Sequence, residues 1–368
     1  MSIKNNYTAL FYVFLFSHLV VWTVSPTISN VNLPLDTIEA LAWGSNLSWG
    51  YSKHPPLSAF IVETVFSFFG NKDWAYYFLS QIFVILGFIY VWKFSNLIFK
   101  NKIYSLCSVL LIEGIYFYNY TSPEFNVNIC QIPFWALTVY YSYKSLKFEK
   151  TSDFLLLGLF SALGFLSKYI FVYLIISIKV IFLIEYFKRK TFKIKLFLPG
   201  IVFLLIITPH LIWLAQNDFI TLSYAFNRTG IENKDFITHL INPITFILKQ
   251  LGILVPVIIM FLILIDFKKI RFSKSSKETN FLLLINIIPL ILVFFTSLLS
   301  GANIRTMWMT PFYLFLGVFL IQVSKERFKR ISLNKFYTAF ILFFLLSPVT
   351  YIAVSVINEF KRTDYPGK

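Results

Sequence analysis

Leu33-Pro34-Leu35-Asp36-Thr37-Ile38-Glu39-Ala40-Leu41-Ala42-Trp43, continued by Trp49-Gly50-Tyr51-Ser52-Lys53-His54-Pro55-Pro56-Leu57, gathers two carboxylates, a lysine, a histidine, two tryptophans and a Pro-Pro pair in an otherwise oily chain. Asp36, Glu39, Ala40, Trp43 and Leu47 recur at helical spacing, so a helix starting after Pro34 carries both acids and a tryptophan on one side. Such a helix is short and is expected to lie at a membrane surface. Two readings of its acids stand side by side. Asp-x-x-Glu after a proline is close to a capping box, in which the side chains serve only the first backbone amides. The alternative is chemistry, because Lys53-His54-Pro55-Pro56 sets two potential cations on a stiff turn directly after the acids.

The surroundings of this stretch decide the fold class. With 57% hydrophobic, 20% aromatic and only 14% charged residues among 368, the chain is far too apolar for a soluble domain. It reads as an all-α polytopic integral membrane protein of about eleven transmembrane helices. The apolar runs lie near 7–25, 74–92, 103–119, 125–143, 153–167, 169–187, 196–214, 244–265, 279–299, 308–323 and 336–357. No small-residue cleavage site follows the first run, so it is expected to be an uncleaved helix. The organisation is one transmembrane domain over 1–357, with a first loop at 26–73 and a short tail at 358–368.

Charge sorts by loop. If the N-terminus is cytoplasmic, alternate loops around 93–102, 144–150, 188–195, 268–277 and 325–335, together with Lys4, hold 22 of the 33 basic residues. Asp36, Glu39, Glu63, Asp73, Glu124, Asp218, Glu232 and Asp235 fall on the other side. This obeys the positive-inside rule and places the Asp36–Pro56 loop, the Ser122-Pro123-Glu124 turn and the 215–243 loop outside. The net charge of +16 therefore belongs to cytoplasmic turns, and no soluble basic domain remains to bind nucleic acid. Cys107 and Cys130 sit in apolar runs as buried thiols. The histidines His18, His54, His210 and His239 are scattered without metal-ligand spacing, and no phosphate-binding loop or dinucleotide fingerprint occurs. No cofactor is expected, with a divalent ion left open.

The run from Asp36 to Leu57, D-x-x-E-A-x-x-W followed by G-Y-x-x-H-P-P-L, resembles the first extracytoplasmic loop of the GT-C membrane glycosyltransferases. Its nearest likeness is to the bacterial family 39/83 group of aminoarabinose, mannosyl and galacturonosyl transferases, which use polyprenyl-phosphate sugars. Gly158-Leu159-Phe160-Ser161-Ala162-Leu163-Gly164-Phe165-Leu166-Ser167-Lys168-Tyr169 is similar to that family's G-x-x-x-G-L-x-x-L-S-K-Y segment, and Pro209-His210-Leu211-Ile212-Trp213 to its Pro-x-x-x-Trp. The resemblance implies transfer of a sugar from a polyprenyl-phosphate carrier to a lipid, glycan or protein acceptor at the outer face of a bacterial inner membrane. Asp36 would be the general base, or would orient an acceptor already ionised. In the family the turn matching Pro123-Glu124 carries Pro-Asp, so Glu124 departs by one methylene. The extracytoplasmic domain of some relatives has no counterpart here, which implies a minimal version.

Each further candidate has a plain structural alternative. Ser122, Pro123 and Glu124 suit an N-cap, a first helical position and a first turn. Lys168, between two apolar runs, either meets a phosphate or snorkels to lipid headgroups. Arg305 beside Trp308 suits bidentate phosphate recognition or interfacial anchoring. His210 reads as a hydrogen-bonded helix-end residue. The expected donor site comprises Glu39, Tyr51, Lys53, His54, Glu124, Lys168 and Arg305, with Tyr224, Asn227, Arg228, Glu232, Asp235 and His239 as a pool of contact residues. The rival class is a transporter or flippase, which suits intramembrane Glu113 and Lys179 but predicts an inverted repeat that the sequence lacks.

Overall fold

The computed structural model describes residues 6–189, 194–229, 236–267 and 276–361. It is helical throughout, with one isolated antiparallel bridge, Ile265 to Phe328, among the described residues. The helices are α1 (Tyr7–Ser29), α2 (Leu35–Gly44), α3 (Leu57–Phe69), α4 (Asp73–Ile98), α5 (Lys102–Leu110), α6 (Val127–Cys130), α7 (Ile132–Phe148) and α8 (Thr151–Ser167). They continue as α9 (Val172–Arg189), α10 (Leu198–Gln216), α11 (Ile220–Thr229), α12 (Phe236–Ile263), α13 (Lys277–Ser300), α14 (Leu316–Ser324) and α15 (Leu333–Lys361).

Seven of the described helical segments are long and apolar enough to cross a membrane. The pair Thr306–Tyr313 and Leu316–Arg327, bent by 50°, is an eighth apolar segment, a broken span or a re-entrant loop. These account for eight of the eleven apolar runs. The other three are helical but short or interrupted, and each interruption has a cause. The run at 153–167 is the 17-residue α8. The run at 103–119 stops at Leu110 and tightens into 3₁₀ turns. Gly114 there lies against the backbone of α12, so close that a Cβ would meet the Val257 nitrogen at 2.8 Å, and the Asn119 amide donates to the Glu113 carbonyl at 2.7 Å. The run at 125–143 divides at Gln131, ahead of Pro133, which has no N–H to continue the ladder.

The core is aromatic. Phe11 of α1 stacks on Trp92 of α4 at 4.4 Å, and Trp135 of α7 packs on Phe312 at 4.7 Å. Buried charges are paired. Lys144 meets Asp153 at 2.8 Å between α7 and α8, and Glu113 lies 3.3 Å from His18 of α1 with both side chains fully buried. Glu113, which the sequence left without a role, thus has a structural partner. Small residues set the close helix approaches. A Cβ on Gly158 of α8 would meet the Pro199 carbonyl of α10 at 2.6 Å.

That contact gives a test of the α8–α10 packing on which the α8 end depends. Gly158→Val should destabilise the detergent-solubilised protein by about 1–3 kcal/mol, the usual cost of overpacking, read as a drop in thermal unfolding temperature. An unchanged midpoint would mean that α8 and α10 do not approach so closely.

Candidate active site

One end of the bundle collects the α2–α3 connection, the turn ahead of α6, the break between α8 and α9, and the loop before Thr306. Helix α2 starts where the sequence placed it, after Pro34. Its cap position is Pro34, which makes no side-chain bond to the first amides, so the capping-box reading of Asp36 and Glu39 does not hold. The Asp36 amide instead donates to Glu124 Oε1 at 3.2 Å. A carboxylate from elsewhere in the chain thus caps the helix, which leaves the Asp36 side chain out of the capping bonds.

Glu124 is held by Asn126, whose Nδ2 donates to Oε2 at 3.4 Å while its Oδ1 accepts from the amides of Asn128 and Ile129. Ser122-Pro123-Glu124 is therefore not the start of a helix. The cap is Asn126, and Ser122 is instead buried against Gln81 and the Asn119 carbonyl. Burial and the neighbouring Asp36 push the Glu124 carboxyl up to about 7. Asp36 is raised as well, by burial and by Glu39, against the opposing pull of Lys168, Lys53 and Arg228.

Lys168 does not snorkel. It stands in extended backbone at the end of α8, its side chain almost fully buried, with Nζ donating to Asn128 Oδ1 at 2.6 Å and lying 4.8 Å from the Trp308 ring centroid. Burial, reinforced by Arg305, lowers its ammonium to about 7, while Asp36 works the other way. Arg305 is exposed just outside.

His54 and Lys53 share the turn but differ in state. Lys53 pairs with Glu39, which raises its pKa, and lies 5.9 Å from the Tyr224 ring. His54 packs its ring edge-on to Trp43 at 5.8 Å, and burial together with Lys168 and Lys53 lowers it to about 3. It is thus a neutral imidazole near pH 7, not the cation expected from the sequence. Tyr51 shapes the loop from within, stacked on Trp43 at 5.4 Å, its hydroxyl accepting from the Ser48 amide at 3.2 Å.

The loop itself is clamped by α10 and α11. His210 Nδ1 lies 2.6 Å from the Trp49 carbonyl, which can only accept, so in the neutral ring Nε2 accepts from the Tyr169 hydroxyl at 2.8 Å. Thr221 donates to the Tyr51 carbonyl at 2.7 Å, and Gly50 lies so near Trp213 that a Cβ would meet the ring at 2.2 Å. His210 therefore ties the first loop to the residue next to Lys168. Sequence reasoning passed over Asn126 and Asn128, although two amides opening an apolar run were a visible signal. It left Arg228 unranked in the pool. The Asn303 amide donates to the Thr229 carbonyl at 3.1 Å, which brings the end of α11 to the strand leading to Arg305. His239 bonds the Leu298 carbonyl at 3.0 Å, a structural role, and Glu232 and Asp235 lie outside the described residues. Among the described residues no three His, Cys, Asp or Glu side chains come together as metal ligands.

Residues 53–213 match the family described as dolichyl-phosphate-mannose-protein mannosyltransferase. That segment takes in Lys53, His54, Glu124, Lys168 and His210 but begins after Asp36. The lipopolysaccharide core galacturonosyltransferase RgtB of Rhizobium johnstonii is 25% identical over 210 residues, 56% of this chain and 42% of its own. The undecaprenyl phosphate-alpha-4-amino-4-deoxy-L-arabinose arabinosyl transferase of Wigglesworthia glossinidia brevipalpis is 29% identical over 109 residues, 27% of this chain and 19% of its own. The crystal structure of ArnT from Cupriavidus metallidurans bound to undecaprenyl phosphate superposes with a TM-score of 0.68 at 13% identity, covering 89% of this chain and 62% of that one. The chain shares the fold of that ArnT structure. It spans less than half the length of the curated relatives it matches.

The His210 clamp predicts a measurable cost. His210→Ala leaves the Trp49 carbonyl and the Tyr169 hydroxyl without their partner, at about 1–3 kcal/mol for each buried group. Thermal unfolding in detergent should fall accordingly, and His210→Gln, which can still donate to the carbonyl, should recover part of the loss. Equal midpoints for wild type and His210→Ala would remove the clamp.

Proposed function

We propose that the protein is a membrane glycosyltransferase that moves a sugar from a polyprenyl-phosphate carrier to a lipid, glycan or protein acceptor at the extracytoplasmic face. The observation that carries this reading is the setting of Asp36. Its carboxylate is capped off from its own helix, stands beside Glu124, and feels Lys168, Lys53 and Arg228 at once. A base next to a group of cations is what displacement of a phosphate from an anomeric carbon requires. The names of the relatives, which include transferases for galacturonic acid and an undecaprenyl-phosphate-linked aminoarabinose, point the same way.

Asp36 takes the acceptor hydroxyl proton or orients an ionised acceptor. The reaction is a single displacement that inverts the anomeric centre unless a covalent intermediate forms. Lys168, Arg305 and Arg228 receive the charge that develops on the leaving phosphate, and His54 contributes a neutral hydrogen bond. Glu124 and Glu39 position the sugar or the cations. In topology, the eleven apolar runs all cross or enter the membrane with the N-terminus cytoplasmic, and the bacterial inner membrane is the compartment that supplies such a carrier. Of the two intramembrane charges that suited a transporter, Glu113 is accounted for by His18.

Asp36→Asn should abolish transfer from polyprenyl-phosphate sugars while the protein still inserts and expresses, a loss of at least about 10²-fold as for removal of a general base. Normal turnover by that variant would end the assignment.

The pH dependence follows from two groups. The donor phosphodiester keeps one negative charge throughout, whereas Lys168 in the empty site titrates near 7 and must be protonated to hold it. Donor affinity should therefore be full below pH 7 and fall as pH rises through it, by up to ~10-fold per unit. Glu124, also near 7, ionises over the same window and acts in the same direction. Donor KM measured from pH 6 to 8.5 should flatten in Lys168→Met, and in part in Glu124→Gln. A slope unaltered in both variants would contradict the phosphate assignment.

A further inference from the structure

A second cavity lies away from the Asp36 site, within the membrane-spanning part of the bundle. It is a cleft of about 710 Å³ between α8, α9 and α10, walled by Ile175, Phe182, Tyr186, Phe203 and Leu204 and containing one charged side chain, Lys179. That volume is in the range of ligand cavities. Lys179 is exposed and forms no ion pair among the described residues, whose pairs are His18–Glu113, Lys53–Glu39, Lys144–Asp153 and Lys188–Glu185. An ammonium in a hydrophobic span is costly unless an anion meets it, and no acid is among the described residues that line this apolar cleft.

The position within α9 narrows what the anion is. Lys179 stands ten residues before Arg189, about 15 Å of helix, and its side chain can lean toward that end. Around the start of α10 the cleft is lined by Leu196, Phe197 and Gly200. A free soluble anion has no reason to enter so apolar a space. An amphiphile does, because one molecule then fills the cleft with hydrocarbon and meets the ammonium with its headgroup.

We propose that this cleft is a binding site for an anionic glycerophospholipid, one acyl chain lying along Ile175, Phe203 and Leu204 and the phosphate drawn in to Lys179. The site is separate from the sugar donor's. Its α9 wall runs from Ile175 through Lys179 to Tyr186, and none of the residues placed at the Asp36 site lines it. Its occupant ties α9 to α8 and α10, the three helices whose outer ends carry Lys168 and His210.

The test is native mass spectrometry of the detergent-extracted full chain titrated with phosphatidylglycerol or phosphatidylcholine, a readout independent of transferase activity. Wild type should retain phosphatidylglycerol about fivefold more strongly than phosphatidylcholine, the preference one lysine supports. Lys179→Leu should abolish that preference and Lys179→Arg should keep it. Gly200→Leu is the second variant, since a Cβ there meets nothing within 4 Å and the side chain can fill the cleft without a backbone clash. It should weaken retention of both lipids with the lysine in place. The proposal is overturned if Lys179→Leu keeps the full preference, if Gly200→Leu retains both lipids as wild type does, or if oleate displaces phosphatidylglycerol, which would make the occupant a fatty acid.

Discussion

Everything at the working end of this protein is arranged around the cost of keeping Lys168 out of water. Helices α8 and α9 are apolar on both sides of it, so an ammonium at their junction has lost most of its hydration and must be repaid locally. Asn128 supplies a carbonyl acceptor and Trp308 a ring face. Neither carries a full negative charge. Asp36 does, and it is therefore the electrostatic counterweight to Lys168, as the opposing effects on the two groups record. From this pair the rest follows in sequence. Asp36 needs α2 held in place, α2 needs Glu124 at its first amide, and Glu124 needs Asn126.

The same arrangement makes the site responsive to a phosphate. A unit charge about 4 Å away in surroundings of effective dielectric near 20 is worth about 4 kcal/mol, or roughly three pKa units. A donor phosphate beside Lys168 would return the ammonium to its charged form and take over the partner that Asp36 had been. On the proposed reading, Asp36 is thereby released from Lys168 and its raised pKa rises further, which makes it a better base at the moment the donor is in place.

Much of this was legible beforehand, and the limits have physical causes. The α2 helix, its start after Pro34, the break at Lys168 and most of the spans were visible because hydrophobic periodicity, proline and an interrupted apolar run are local signals. Glu124 as a site acid was readable only through a family likeness, and its actual bond, to the Asp36 amide 88 positions away, is long-range. The state of His54 was not legible at all. Lys-His-Pro-Pro reads as a cationic turn, yet its charge depends on Trp43 packing and on Lys168, neither of which its own sequence announces. The interrupted runs at 103–119 and 125–143 erred for the opposite reason, since composition there suits a span and only the approach of α12 to Gly114 breaks the first helix.

A neutral His54 changes what the Lys-His pair can do. A second fixed cation beside Lys168 would have lowered both pKa values. An imidazole that stays neutral gives a directed hydrogen bond without adding to that repulsion. As the glycosidic bond breaks, its electron pair passes to the bridging oxygen, which becomes a charged oxygen of the leaving phosphate, and a hydrogen bond to that oxygen strengthens as the charge develops. On the proposed reading Lys168 and the arginines both hold the bound donor and receive the charge added as it leaves, while His54 contributes a directed hydrogen bond. Attraction that is equal for bound donor and transition state leaves the barrier between them unchanged, so only the part of each interaction that grows as the charge develops raises the rate.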